Sequence, residues 1–206
     1  MLARYNIILA GQYGVGKTSI FRKLRNSDGI EESMGLDRFT YQTRREEREI
    51  EVYLWDTGGI ERYHEPLSSN YYRQCDAIIL VYMRGDQQSL VALGEWVNDA
   101  KTYSHMKDSV MFSLWENSID ENAPSLGQLE KTFMEHSGIP SSLYFKVSAK
   151  TGFNLKEAFE SVVTALDKRS VSGLSQSEEH HYVDLKTLHN QPDSESNSSH
   201  HTFCRC

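Results

Sequence analysis

Gly11-Gln12-Tyr13-Gly14-Val15-Gly16-Lys17-Thr18 fits the pattern GxxxxGK[ST], and its reading decides the fold. The apolar run Asn6-Ile7-Ile8-Leu9-Ala10 ahead of it reads as a buried strand, and Thr18 to Leu24 behind it read as the start of a helix. That strand–loop–helix setting separates a phosphate-binding loop from a glycine-rich turn at the edge of a core. Glycines let the backbone wrap around phosphate oxygens, so that N–H groups and the helix N-terminus point at the anion. The expected contacts run through Gly11, Tyr13, Gly14, Val15, Gly16, Lys17, Thr18 and Ser19. Lys17 would reach the β- and γ-phosphates, and the Thr18 hydroxyl would ligate Mg²⁺.

Outward from this loop, apolar strand-like runs alternate with helical patterns. The strand candidates are Phe39 to Arg45, Ile50 to Thr57, Ala77 to Tyr82, Val110 to Leu114 and Leu143 to Val147; the helical patterns are Ser89 to Tyr103, Leu126 to His136 and Leu155 to Leu166. Near-continuous apolar strands between helices predict an α/β fold with a mostly parallel sheet covered on both faces. A ligand then belongs at the carboxyl ends of the strands. The charged run Arg44 to Glu49 reads as a solvated hairpin turn without a function.

The 206 residues, 38% of them hydrophobic, suit one core with a tail. Residues 1–169 are expected to form the domain. From Ser170 to Cys206 the chain is rich in Ser, His, Asn and Glu, net negative and without an apolar face, which predicts a disordered tether. No apolar run is long enough to span a membrane, and no room is left for a signal peptide before the first strand. A net charge of −7 argues against a nucleic-acid partner. Cys75, Cys204 and Cys206 are too few for a disulfide framework; Cys75, ahead of a buried strand, is expected to be inert.

Three further motifs stand at strand ends. Asp56-Thr57-Gly58-Gly59 fits DxxG: Asp56 can hold Mg²⁺ through a water, and the Gly59 N–H can approach the γ-phosphate. Asn117-Ser118-Ile119-Asp120 fits NxxD. The Asp120 carboxylate can accept from both N1–H and the N2 amino group of guanine, donors that adenine lacks. In Ser148-Ala149-Lys150 the Ala149 N–H would face guanine O6. Alone, NxxD is as easily an ordinary loop; beside SAK at a matching strand end it specifies the base and leaves a nucleoside kinase without support.

In this order the P-loop, DxxG, NxxD and SAK resemble the Ras superfamily of small GTPases. Trp55-Asp56-Thr57, Glu61-Arg62-Tyr63, Tyr71-Tyr72-Arg73 and Cys204-Arg205-Cys206 resemble its Rab branch. The resemblance covers residues 4 to 168 and the last three. It implies a P-loop G domain with a six-stranded sheet, GTP/GDP and Mg²⁺ as ligands, and a switch acting in vesicle traffic. Implied partners are effectors on switch I and switch II, an exchange factor, a GTPase-activating protein, the prenylation machinery and a lipid-extracting chaperone. Cys204 and Cys206 resemble a double geranylgeranylation site, which would place the protein on the cytosolic face of an intracellular membrane, with a soluble cytosolic pool. One lipid chain anchors marginally and two anchor stably; the acidic tail offers no polybasic help, so both cysteines are expected to matter. His200 and His201 read as solvated residues.

The chain also departs from the family pattern. Ile60 replaces the glutamine that orients the attacking water, so no catalytic residue is assigned, and Tyr13 replaces a small residue beside the γ-phosphate. Both changes predict slow intrinsic hydrolysis, although a Rab-type activating protein can supply a glutamine in trans. Ser33 falls where the Mg²⁺-ligating switch threonine stands, giving Thr18, Ser33 and Asp56 as the metal set. Switch I is short, Arg38 stands in the place of a phenylalanine, and Ser118 replaces the lysine that packs over the base. Weaker nucleotide affinity and faster release follow. Phe39, Trp55 and Tyr71 are read either as an aromatic effector surface or as core packing. The two functional readings are a slow membrane-anchored switch and a pseudo-GTPase that binds nucleotide without useful turnover.

Overall fold

The computed structural model describes residues 2–26, 38–45, 48–57, 72–104, 110–118 and 122–173. Strand β1 (Leu2–Ala10) runs through the P-loop into helix α1 (Lys17–Asn26), whose Ile20, Phe21 and Leu24 are buried at the three- and four-residue spacing of one helix face. The hairpin of β2 (Arg38–Arg45) and β3 (Arg48–Asp56) is antiparallel, with Arg45 opposite Arg48. Within the charged run, Arg45 and Arg48 are half-buried rather than solvated, pairing with Glu160 (2.7 Å) and Asp167 (3.4 Å).

Beyond the hairpin follow β4 (Ala77–Met83), α2 (Gln87–Tyr103), β5 (Met111–Asn117), α3 (Gln128–Ser137), a 3₁₀ turn at Ser141–Leu143, β6 (Tyr144–Val147) and α4 (Leu155–Gly173). The strand order is β2-β3-β1-β4-β5-β6, and every pair except β2–β3 is parallel. This is the expected six-stranded, mostly parallel α/β sheet. Helices α1 and α4 pack together, as do α2 and α3. The order in which strands are added across the sheet reverses beside β1, whose neighbours are β3 and β4; ligands of open parallel sheets bind at such switch points. The middle of the sheet is mostly apolar: Ile7, Ile8, Leu9, Ile78, Ile79, Leu80 and Leu114 are fully buried, each contributing about 1.5–3 kcal/mol. Among the described residues no helix is long and apolar enough to cross a membrane.

Several element ends differ from the sequence reading, and polar contacts explain them. Helix α2 starts two residues early because the Asp86 carboxylate accepts from the Gln88 and Ser89 N–H groups (3.0 and 3.2 Å), capping the helix. Leu126 is not in α3; its N–H is taken by the Glu130 carboxylate (3.0 Å). Strand β5 continues past Leu114 to Asn117.

The expected start of the tail at Ser170 falls inside α4, which runs to Gly173. Its last turns are held by polar groups: the Ser170 hydroxyl lies 2.5 Å from the Tyr5 hydroxyl, and Asp167 lies 3.4 Å from Arg48. Hydrophobic periodicity is blind to such contacts. Higher on the same helix, Glu160 accepts from Arg45 (2.7 Å) and from the Tyr41 hydroxyl, clamping α4 to the hairpin.

Phe39 and Trp55 do not form an effector surface in this fold. Phe39 is buried against Phe21 and Phe159, with ring centroids 5.2 and 6.2 Å away. Trp55 donates to Asn6 Oδ1 (3.2 Å) and is covered by the Arg38 guanidinium, 5.2 Å from its ring. Both rings are core packing, and Arg38 caps the strand rather than replacing an exposed ring. Tyr71 lies outside the described residues.

Candidate functional site

The parallel register brings the motifs to one edge of the sheet. Leu9 pairs with Asp56, Ala10 with Leu80, Met83 with Asn117, and Asn117 with Val147. The P-loop, Asp56, Asn117 and Ser148-Ala149-Lys150 therefore leave the sheet side by side.

In the phosphate half the backbone dictates the sequence. Gly11 has φ +146°, and a Cβ on it would stand 2.2 Å from the Val81 carbonyl oxygen. Gly16 has φ +99°, and its Cβ would stand 2.3 Å from Asn117 Nδ2. Neither position admits a side chain. Lys17, only 3% exposed, donates from Nζ to the Gly11 and Gln12 carbonyls at 2.7 and 2.9 Å. Those bonds hold its ammonium inside the curl of the loop, at the N-terminus of α1. Val15 is buried, Thr18 is half-buried, and Gly14 and Ser19 are exposed. Tyr13 is 64% exposed, so its ring faces solvent rather than packing into the core.

Asp56 ends β3, and the next residue, Thr57, donates from its hydroxyl to the Leu9 carbonyl (2.8 Å), locking the two strand ends together. A cation held in a loop of anion-facing glycines, with a hydroxyl and a carboxylate nearby, suits a magnesium nucleotide. Ser33, Gly59, Ile60 and Asp120 lie outside the described residues, as do Cys204 and Cys206.

In the base half side chains dominate. Asn117 ends β5, fully buried; its Nδ2 donates to the Val15 carbonyl (2.8 Å), and its Oδ1 accepts from the Ala149 N–H (2.9 Å). Asn117 thus stitches the P-loop to the SAK loop. The Ala149 N–H, expected to face guanine O6, is committed to this bond. Ser148 shapes its own loop: its hydroxyl accepts from the Thr151 N–H (3.3 Å) and its carbonyl from the Gly152 N–H (2.8 Å), while Lys150 is exposed. The Ser118 N–H donates to the Val147 carbonyl (2.8 Å), closing β5 against β6.

Sequence reading missed what lies behind Asn117. Glu116, fully buried, faces the Tyr82 and Tyr144 hydroxyls, and Glu130 of α3 faces the same two phenols. A carboxylate in an apolar run next to Asn117 was the available signal; ending the strand at Leu114 hid it. Cys75 is buried, with its thiol donating to the Ala77 carbonyl (2.9 Å) and its pKa pushed well up by burial, which makes it a poor nucleophile.

Fold and site together define a P-loop nucleotide-binding α/β protein. A family model described as the Ras family matches residues 6–168. The chain is 29% identical over 173 residues to the GTP-binding protein YPTM2 of Zea mays, covering 82% of each chain. It is 32% identical over 163 residues to the Ypt/Rab-type GTPase Rab7 of Neurospora crassa, covering 75% of this chain and 78% of that one. To human Ras-related protein Rab-3A it is 27% identical over 173 residues, covering 82% and 77%. The chain belongs to the Ras family, as a divergent, Rab-like small GTPase.

Proposed function

We propose that the protein is a membrane-anchored GTP/GDP switch of Rab type that recruits effectors in vesicle traffic and hydrolyses GTP slowly. The observation that carries this reading is the convergence of Lys17, Asp56, Asn117 and the SAK loop on one sheet edge. When bound with a nucleotide, Mg²⁺ would be held by Thr18 and Asp56, with Ser33 as the switch ligand, and would neutralise charge developing between the phosphates. Lys17 and the loop N–H groups orient the phosphates. Asp120 selects guanine, and bears more of that selection because the Ala149 N–H is committed to Asn117.

Slow hydrolysis follows from Ile60, which has neither donor nor acceptor to position a water, and from Tyr13, a large exposed side chain where the P-loop usually carries a small one. Effectors, an exchange factor and an activating protein would meet switch I and switch II, and prenyl groups on Cys204 and Cys206 would hold the cytosolic face of an intracellular membrane. The lipid-extracting chaperone would maintain the soluble pool. Ile60, Tyr13 and Ser118 also favour a second reading, a nucleotide-stabilised module without turnover.

Titration of purified protein with fluorescent GDP, GTP and ADP tests the site: guanine nucleotides bind in a Mg²⁺-dependent manner and ADP does not. Equal affinity for ADP contradicts the proposal, and GTP that stays intact even with an activating protein selects the second reading. For the anchor, Cys204→Ser with Cys206→Ser releases the protein from membranes in fractionated cells; unchanged membrane association overturns it.

A further inference from the structure

Four side chains from four elements meet behind the base loop. The Tyr144 hydroxyl lies 2.5 Å from Glu116 Oε2 and 3.3 Å from Glu130 Oε2. The Tyr82 hydroxyl lies 2.8 Å from Glu130 Oε1 and 3.0 Å from Glu116 Oε2. Each phenol has one proton. Tyr144 donating to Glu116 and Tyr82 donating to Glu130 gives each carboxylate one donor over the shorter contact. Glu130 also accepts from the Leu126 N–H (3.0 Å) and the Ser125 hydroxyl (3.3 Å), and Arg84 Nε stands 3.4 Å from Glu116 Oε1. Burial pushes the pKa of both phenols up, and the neighbouring carboxylates add to it, so both remain donors.

The placement of this cluster matters more than its energy. Glu116 precedes Asn117, so its anchorage fixes the end of β5. The loop carrying Asp120 starts there, with Ser118 N–H on the Val147 carbonyl, and ends at Ser125-Leu126, both bonded to Glu130. Both ends of the base loop are therefore tied to one buried cluster. Asn117 in turn carries the constraint to Val15 of the P-loop and to Ala149.

We propose that the Tyr82–Glu116–Tyr144–Glu130 cluster is a positioning network for the base-binding loop, setting how long and how selectively guanine nucleotide is retained. This rests on the guanine site proposed above. The four residues act through Asn117 and through the described ends of the loop at Ser118 and Ser125-Leu126. Both phenols and Glu130 are hydrogen-bonded within the network, while Glu116 Oε1 has only the Arg84 guanidinium nearby; in such a coupled network, losing one member frees the others.

The test compares release of fluorescent GDP and IDP from full-length wild type, Tyr144→Phe and Glu130→Gln. IDP lacks the 2-amino group, so the GDP-over-IDP preference reads the placement of Asp120. Tyr144→Phe is expected to speed GDP release about tenfold, the worth of one charge-assisted hydrogen bond. IDP release should change less, so that the preference narrows. Glu130→Gln keeps size and acceptor, covers the case in which Tyr144→Phe fails to fold, and should give a smaller shift of the same sign. Unchanged GDP release, or GDP and IDP released faster by equal factors, overturns the network, the second result marking a purely structural role. Wild type that retains neither nucleotide overturns the guanine site itself.

Discussion

Where the site meets phosphates the protein contributes backbone, and where it meets the base it contributes side chains. Gly11 and Gly16 have positive φ and no space for a Cβ, and Lys17 bonds to carbonyls five and six residues away. The curl of the loop and the lysine inside it lie within eight consecutive residues, and Asp56 joins them from the end of β3. The base half joins Asn117 to Val15 and Ala149, 102 and 32 residues distant, and rests on a cluster drawn from β4, β5, β6 and α3. A locally encoded cradle tolerates changes elsewhere in the chain. A base loop assembled from distant side chains can be tuned from positions that never touch the ligand.

The two halves touch at Gly16, where a side chain should have the largest effect. Gly16→Ala drives a Cβ into Asn117 Nδ2 at a backbone conformation alanine resists, and nucleotide affinity should fall at least about 100-fold in a fluorescent-GDP titration. Gly14→Ala sharpens the point: it has positive φ but open space around it, so its loss should be much smaller. Next in size is Asn117→Ala, which orphans the Val15 carbonyl and the Ala149 N–H. We expect about 3 kcal/mol lost from chemical unfolding, with GDP release accelerated more than phosphate-only binding weakens.

Legibility follows the same division. The P-loop, the strand that feeds it and the sheet class could be read because glycine φ, apolar runs and their alternation with helices are local signals. The NxxD and SAK loops could be placed because they follow apolar strands. The Asn117 bridge, the buried Glu116 and Glu130, and the extension of α4 to Gly173 could not, since each depends on a polar partner far away in sequence. For Phe39 and Trp55 the sequence leaves surface and core both open, and packing against Phe21, Phe159 and Arg38 decides for the core.

Smaller effects probe the supports of the two halves. Burial holds the protons of Tyr72, Tyr82, Tyr144 and Cys75 above their ordinary values of 10.0 for a phenol and 9.0 for a thiol. The unfolded chain sheds these protons first, so stability is complete well below pH 9 and falls as pH rises through 9.0 and 10.0. Urea unfolding between pH 8 and pH 11 should show this slope, and Tyr144→Phe should flatten it by up to about 1.4 kcal/mol per pH unit. Arg45→Ala removes the bond to Glu160 that clamps α4, a pair about a quarter exposed on each side, and should cost about 1 kcal/mol by thermal unfolding without altering base preference.

We propose that this site holds GTP more readily than it cleaves it. Single-turnover hydrolysis by the purified chain with Mg²⁺, run beside Ile60→Gln, tests it most directly. The prediction is a wild-type rate below the roughly 4 × 10⁻⁴ s⁻¹ of intrinsic Ras hydrolysis, rising about tenfold when a glutamine can orient the water. A wild-type rate at or above that value, or no response to Ile60→Gln, would contradict it.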